Sequence, residues 1–438
     1  MFSKHGFDTL SRVVTSSTVV VGLGKIGLPL AVQFASRGQR VVGFDTNSET
    51  VAMVNRGEVP FPNEAGLPKF LTELTKSGML SATTNSAAAL VEASDVVIVV
   101  PLYVDNSGVP DFSMIDAATT AVGSGLRPGM LVCYETTVPV GTTRGRFKTA
   151  LEEASGLICG RDFNLVFSPE RVSSGRVFAD LRRYPKLVGG VTPQCGERAS
   201  RFYTSVLEFD ERPDLPKPNG VWDLGSCEAS ELAKLAETTY RDVNIALANQ
   251  FAKFSSKHGI DIHSVIEACN SQPFSHIHQP GIAVGGHCIP VYPQMYLWND
   301  PDASVVRAGR LTNASMPEHY IAALEREHGL LKGETVLVLG AAYRGGVKET
   351  AFSGVFPVVE ALHSRGAMCY VTDPLYTANE LETLGLPTRG NASDVTAIVI
   401  QSDHAEYLTY DFLQHPRLRT VMNGRHMPLR LTSLTVIN

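Results

Sequence analysis

The 438-residue sequence has no apolar stretch approaching the ~20 residues that cross a bilayer as a helix, so a membrane-spanning protein and a membrane partner are not expected. It has no lysine/arginine run, and its formal net charge is -6, which leaves no electrostatic footprint for nucleic acid. It also has no Cys-x-x-Cys pair. Seven cysteines stand at 133, 159, 195, 227, 269, 288 and 369, an odd number at scattered spacings that fits neither a disulfide framework nor a metal site. The opening MFSKHGFDTLSRVV lacks the apolar core of a secretory signal, and a reducing cytoplasmic setting is expected. With hydrophobic residues at 44% and charged residues at 19%, the chain reads as folded rather than disordered.

What is present is rhythm. The first half alternates short valine-rich runs (TVVVGLG, QRVVGFD, ASDVVIVVP, MLVCYET, NLVFSPE) with helix-like segments, the pattern of a parallel sheet covered by helices. From Ser226 to Gly259 the texture changes to one proline-free run rich in alanine, leucine and glutamate, which predicts a single long helix stopped by Gly259. A second alternating region follows, with ETVLVLGAAY, AMCYVTDP, DVTAIVIQSD and TVMNG. The expected fold class is α/β: two Rossmann-like doubly wound domains joined by a helical domain with one long central helix. Boundaries are expected at the proline-rich segment 211–220 and near Met316-Pro317, giving domains 1–211, 212–317 and 318–438.

The strand TVVV runs into Gly22-Leu23-Gly24-Lys25-Ile26-Gly27 and then a helical pattern, which is G-x-G-x-x-G in its required setting. The first glycine permits the turn and the second lets a pyrophosphate approach the backbone. The third allows close helix packing, and the helix N-terminus favours negative charge. Asp45 ends the next strand, where an acid can bond ribose hydroxyls. Thr46 and Asn47 follow it rather than arginine, so NAD is expected over NADP.

The run GGHCIPVYP sets Cys288 between paired glycines and two prolines, on a constrained loop. A free cysteine is usually a buried small hydrophobe; a thiol presented to a substrate is the other reading. Lys234 in the long helix, taken alone, reads first as a snorkelling surface lysine. Glu170 in FSPERV and Thr136-Thr137 in YETTVPVGTT end strands, where ligands of open α/β sheets collect.

Taken together, GLGKIGLPLA, PFPNEAGL, TTVPVGTT, FSPERV with PKLVGG, AKLAETTYRDVNIALANQFA, GGHCIPV, LGAAYR and SDHAEY are similar to the UDP-glucose/GDP-mannose dehydrogenase family over nearly the whole chain. The resemblance implies two successive NAD-linked oxidations of a UDP-sugar C6 alcohol to the uronic acid, and a homodimer through the long helix. It implies that Cys288 adds to the aldehyde, since an aldehyde has no hydride to give until a nucleophile adds, and that water hydrolyses the resulting thioester. Lys234 would face the developing oxyanion and lower the thiol's pKa. Thr137 and Glu170 would hold or activate water. Lys25, Ile26 and Pro101 join the glycines, Asp45 and Thr137 on the cofactor side. On the substrate side the resemblance implies Glu170, Arg171, Lys234, Thr238, Arg241, Asn244, Gly285, Gly286, Tyr292 and Tyr343, with Arg344 facing the diphosphate.

Four positions depart from that pattern. Thr238 stands where the family has asparagine, Tyr292 where it has aspartate, and Phe274 and Ala351 where it has arginines; Lys348 is a candidate to replace the second charge. Tyrosine titrates near ~10, so Tyr292 is no carboxylate base, and thioester release would rest on Glu170 and Thr137. The GHCIPV form is similar to members acting on UDP-N-acetylhexosamines, the mannosamine type above all. The expected product is then UDP-N-acetylmannosaminuronate, made for a cell-surface polysaccharide. UDP-glucose or UDP-N-acetylglucosamine oxidation is the alternative. So are a two-electron β-hydroxyacid dehydrogenase, against which Cys288 and the third unit count, and a catalytically weak UDP-sugar-binding regulator.

Overall fold

A computed structural model describes residues 17–61, 64–105, 107–173, 175–429, 431 and 434–437. The opening segment and Pro62-Asn63 of PFPNEAGL lie outside the described residues. The chain divides into two compact units at Leu235/Ala236, within the long helix Cys227–Lys257.

The first unit is built on strands β1 (Ser17–Val21), β2 (Arg40–Phe44), β3 (Leu80–Thr83), β4 (Ala93–Ile98), β7 (Leu131–Tyr134), β8 (Asn164–Phe167), β9 (Lys186–Gly190) and β10 (Val221–Asp223). The two-residue strands β5 (Tyr103–Val104) and β6 (Pro110–Asp111) form a separate antiparallel ribbon. The main sheet runs in the order β10-β9-β8-β7-β4-β1-β2-β3. Its central strand β1 is buried along its whole length and pairs in parallel with β2 and β4, which is why STVVV carries small or apolar residues on both faces rather than alternating with charged ones. All five valine-rich runs of the first half are strands.

The expectation of a purely parallel sheet is corrected at one place. Strand β9 runs antiparallel to β8, pairing Phe167 with Gly189 and Val166 with Gly190. The apolar run that signals a buried strand carries no direction, and the connection through helix Val177–Arg183 simply returns on the other sense. Beyond the proline-rich segment, β10 still pairs with β9. The first sheet therefore extends to residue 223, past the boundary expected at 211, and no secondary element in 211–220 marks a break.

The second unit carries β11 (Thr335–Leu339), β12 (Met368–Thr372), β13 (Val395–Ile400), β14 (Thr420–Asn423) and β15 (Thr435–Ile437) in an all-parallel sheet ordered β12-β11-β13-β14-β15. Apolar clusters cover this sheet, one of them built from Val336, Val338, Ala397 and Val399 together with Ile282 and Ala283. The segment leading to Cys288 is thus part of this unit's core. Within the same unit the long helix is bound by a buried polar ladder. Arg310 meets Asp242 at 2.7 Å, Asn313 donates to Asp242 at 2.7 Å, and Asn249 donates to Asn313 at 2.8 Å. The helix has no proline or glycine in its 31 residues, and Gly259, in the left-handed region at φ 65°, follows its end.

Candidate active site

In the first unit the motif residues converge at the carboxyl edge of the parallel strands. Gly22 follows β1 at φ 93°, a conformation that side chains rarely adopt. At Gly27, the first residue of helix Gly27–Ser36, an added Cβ would lie 1.8 Å from the Gly22 carbonyl oxygen, so only glycine lets the helix start against the turn. Gly24 is exposed, and a Cβ there would meet nothing within 4 Å, so its backbone is open to approach. Lys25 is exposed beside it and Ile26 is half-buried. Asp45 Oδ2 accepts the Leu23 N–H at 2.8 Å and its Oδ1 accepts that of Asn47 at 2.9 Å, which aims the carboxylate at the turn from the end of β2. Pro101 stands exposed beyond β4, and Thr136 Oγ1 donates to the neighbouring Val100 carbonyl at 2.6 Å. An open backbone turn and a helix N-terminus supply the N–H donors, and an oriented carboxylate the acceptor, that a dinucleotide needs, and these residues fit NAD.

Further along the same edge, Thr137 is buried after β7 and Glu170 follows β8. Glu170 Oε1 accepts the N–H groups of Arg171 and Val172 at 2.6 and 3.1 Å. Its Oε2 meets Lys186 Nζ at 3.1 Å, and the same ammonium lies 2.7 Å from Glu135 Oε2. Lys186 arrives here because β9 runs antiparallel: its first residue falls where β8 ends. Burial opposes charge on Glu170, but Lys186 and the Arg171 N–H outweigh it and hold the carboxyl below its ordinary value. Burial pushes Glu135 up to about 7 against the pull of Lys186. Neither Lys186 nor Glu135 stood out in the sequence. Their signals were a lysine opening the PKLVGG strand and a glutamate before the two threonines of YETT.

Lys234 is buried on the long helix, not the surface lysine of the snorkelling reading. One turn earlier, buried Glu231 accepts the N–H groups of Gly141 and Thr143 at 2.6 and 2.8 Å, tying the helix to the TTVPVGTT loop.

In the second unit Cys288 is exposed, while Cys133, Cys159, Cys195, Cys227 and Cys369 are buried and Cys269 is half-buried. Its loop is fastened to the carboxyl edge of the second sheet. The N–H of Gly286 donates to the Ala351 carbonyl at 2.9 Å, and that of Ile282 to the Gly424 carbonyl at 2.9 Å. A Cβ on Gly285 would lie 2.7 Å from Tyr343 Cβ, and Gly286 sits at φ 91° against the Tyr343 ring. The structure thus brings Gly285, Gly286 and Tyr343 together. Arg344 is exposed beside them, its Nε donating to Tyr343 Oη at 3.2 Å.

Arg425, absent from the sequence reading, is a half-buried clamp for this arrangement. It donates to the carbonyls of Gln401, Ala283 and Tyr343 at 2.7, 3.2 and 3.0 Å. Asp373, also missed, ends β12 as Asp45 ends β2, and its Oδ2 accepts the N–H groups of Ala341 and Ala342 at 2.8 and 3.0 Å. The matching strand ends GFD and VTD carried that signal.

On the long helix, Thr238 is buried and Arg241 exposed. Asn244 is spent on the chain itself: its Oδ1 accepts the His278 N–H at 3.0 Å and its Nδ2 donates to the His276 carbonyl at 3.1 Å, so it holds the 276–278 loop. Two expectations need correction. Val291 to Pro293 is not all loop: Tyr292 heads the helix Tyr292–Asn299 and its N–H donates to the Cys288 carbonyl at 2.9 Å, while Pro293 sits in the first turn where a missing N–H does no harm. Lys348 does not stand in for the charge absent at Ala351; it pairs with Glu380 at 2.5 Å and lies over the Tyr376 ring. Phe274 is 94% exposed. Among the described residues no cluster of three His, Cys, Asp or Glu side chains is placed to hold a metal, and no helix is long and apolar enough to cross a membrane.

Three models of one family match the chain in order: its NAD binding domain over residues 16–207, its central domain over 228–314 and its UDP binding domain over 337–427. A UDP-N-acetyl-D-mannosamine dehydrogenase of Pyrococcus horikoshii is 34% identical over 419 residues, spanning 93% of this chain and 95% of the relative. The solved structure of the UDP-D-ManNAc dehydrogenase from Pyrococcus horikoshii superposes with a TM-score of 0.85 at 30% identity, covering 96% of this chain and 98% of that one. A UDP-glucose dehydrogenase from Pyrobaculum islandicum gives 0.83 at 26% identity, covering 96% and 97%. The chain belongs to the UDP-glucose/GDP-mannose dehydrogenase family and is, as a member, an NAD-dependent oxidoreductase.

Proposed function

We propose that the chain oxidises UDP-N-acetylmannosamine at C6 to the uronic acid by way of Cys288. The observation that carries this is the exposure of one thiol among seven, on a glycine loop clamped to the unit that matches a UDP binding domain. The names of the relatives and the GHCIPV form favour the N-acetylmannosamine substrate. NAD supplies the hydride acceptor for both oxidations. The chain's own residues do the rest. Cys288 adds to the aldehyde carbon as a thiolate, Lys234 meets the oxyanion with its positive charge, and Thr137 and Glu170 orient the water that releases the acid. With Glu170 held charged by Lys186, it acts by accepting a hydrogen bond from water. Arg171, Thr238, Arg241, Gly285, Gly286, Tyr292 and Tyr343 shape the sugar pocket, Arg344 takes the diphosphate, and Asn244 contributes by fixing the loop beside it. Three functional domains are part of the same proposal: an NAD domain ending within 211–223, where β10 still joins its sheet, a central helical domain to 317 and a UDP-sugar domain over 318–438.

We further propose a homodimer through the long helix. Tyr240, Leu247 and Phe254 recur at sevenfold spacing, and with Phe251 they form an exposed apolar stripe on one element. Seven free cysteines favour a reducing, cytoplasmic setting, with the acid feeding a surface polysaccharide. A panel of UDP-hexoses and UDP-N-acetylhexosamines, scored for NADH and acid product, tests the reading. Two NADH per UDP-N-acetylmannosamine supports it. Preference for UDP-glucose corrects the substrate, and binding without NADH from any sugar replaces the enzyme by a UDP-sugar-binding regulator.

A further inference from the structure

Behind Glu170 lies a group of charged side chains almost out of reach of water. The side chains of Glu135 and Lys186 are 0% and 4% exposed, and that of Glu170 is 11% exposed. Tyr203, wholly buried on helix Pro193–Val206, donates its hydroxyl to Glu135 Oε1 at 2.6 Å, and its ring lies 4.9 Å from Lys186 Nζ. Two carboxylates share one ammonium, which leaves one negative charge too many for a dry site. A single proton discharges it, and the residues that compete for that proton are unequal. Glu170 has two backbone N–H donors besides Lys186, whereas Glu135 is met by Lys186 and the Tyr203 hydroxyl and also shares a side-chain hydrogen bond with Glu170. Of the two carboxyls, Glu135 therefore holds a proton more readily than Glu170. Farther out, Cys133 on β7 and the Asp95–Arg198 pair complete the polar surroundings.

We propose that Lys186 and Glu135 are positioning residues for the hydrolytic half of the reaction, Lys186 fixing Glu170 toward the attacking water and the proton on Glu135 governing how strongly Glu170 draws on it. This rests on the role given to Glu170 above. When Glu135 loses its proton, Lys186 is divided between two negative carboxylates and releases part of its hold on Glu170. Glu170 then becomes the better hydrogen-bond acceptor, and water attack on the thioester quickens as pH rises through neutrality. The bond made is from water oxygen to the acyl carbon, the bond broken is acyl carbon to Cys288 sulfur, and the thiolate leaves as the water proton passes toward Glu170.

The test is the pH profile of acid release in single turnover with NAD and UDP-N-acetylmannosamine, from pH 5.5 to 9, in wild type, Glu135→Gln, Lys186→Arg and Lys186→Gln. The amide in Glu135→Gln keeps the shape and fixes the neutral state, so the rising limb near neutrality should disappear. Lys186→Arg keeps the charge and should retain at least a third of the rate. Lys186→Gln should lose tenfold or more, with the KM for NAD unchanged. If wild type releases acid and Glu135→Gln keeps the same limb, this inference is overturned alone. If wild type releases no acid, the reading of Glu170 fails with it. Thermal melts of Glu135→Gln and Lys186→Arg, expected to stay folded, separate loss of positioning from loss of structure.

Discussion

Alanine at Gly285 would place a Cβ 2.7 Å from the Cβ of Tyr343 and 2.8 Å from the carbonyl oxygen of Phe352. Neither obstacle is the free end of a flexible side chain, and carbon contacts settle near about 3.5–4.0 Å. The loop must retreat by roughly 1 Å, an overpacking that costs about 1–3 kcal/mol. At about 2–4 °C per kcal/mol for a unit of this size, the melting temperature should fall by only several degrees. Cys288 lies three residues on, and a 1 Å misplacement of a reacting group is worth about 10²-fold in rate. The expected result for Gly285→Ala is therefore a folded protein whose kcat/KM for NADH formation drops by about two orders of magnitude. Gly145→Ala is the control, since a Cβ there meets nothing within 4 Å and its backbone is not left-handed. Retention of more than a third of the wild-type rate by Gly285→Ala would refute the idea that this close approach holds the thiol in place.

If the open space beside Gly24 takes the pyrophosphate, Gly24→Ala should leave the melting temperature of the free protein unchanged yet weaken NAD binding tenfold or more by calorimetry. Gly27→Ala should lose both stability and NAD, its Cβ falling 1.8 Å from the Gly22 carbonyl oxygen. Burial pushes Glu231 up to about 7 from 4.5, so the stability it contributes is full below pH 4.5 and lost as pH rises through 7. Glu231→Gln should remove that dependence, and denaturant melts should find it gaining on wild type by roughly 3 kcal/mol between pH 4.5 and 8. Leu247→Glu with Phe254→Glu should shift the protein to monomer in analytical ultracentrifugation; an unchanged dimer would place the interface elsewhere.

Much of this was legible because a buried parallel strand announces itself. STVVV, RVVGF and TVLVL are each flanked by strands on both sides, and each reads as a short apolar run. The glycine motif was legible because its geometry admits no other residue at Gly27. Strand direction was not, since KLVGG has the same composition whichever way it runs, and with the direction went Lys186. Arg425 was hidden for a related reason. Its partners are three backbone carbonyls far apart in sequence, which no side-chain pattern marks. Tyr292 shows how a proline can mislead: Pro293 breaks a helix interior but begins one readily.

Cys288 is the proposed nucleophile that makes a second oxidation possible. The most direct measurement is the ratio of NADH formed to UDP-N-acetylmannosamine consumed, taken with wild type and with Cys288→Ser. Wild type is expected to give two NADH and one uronic acid per sugar, and Cys288→Ser no net acid. A ratio of one, or undiminished acid from Cys288→Ser, would contradict that role for Cys288.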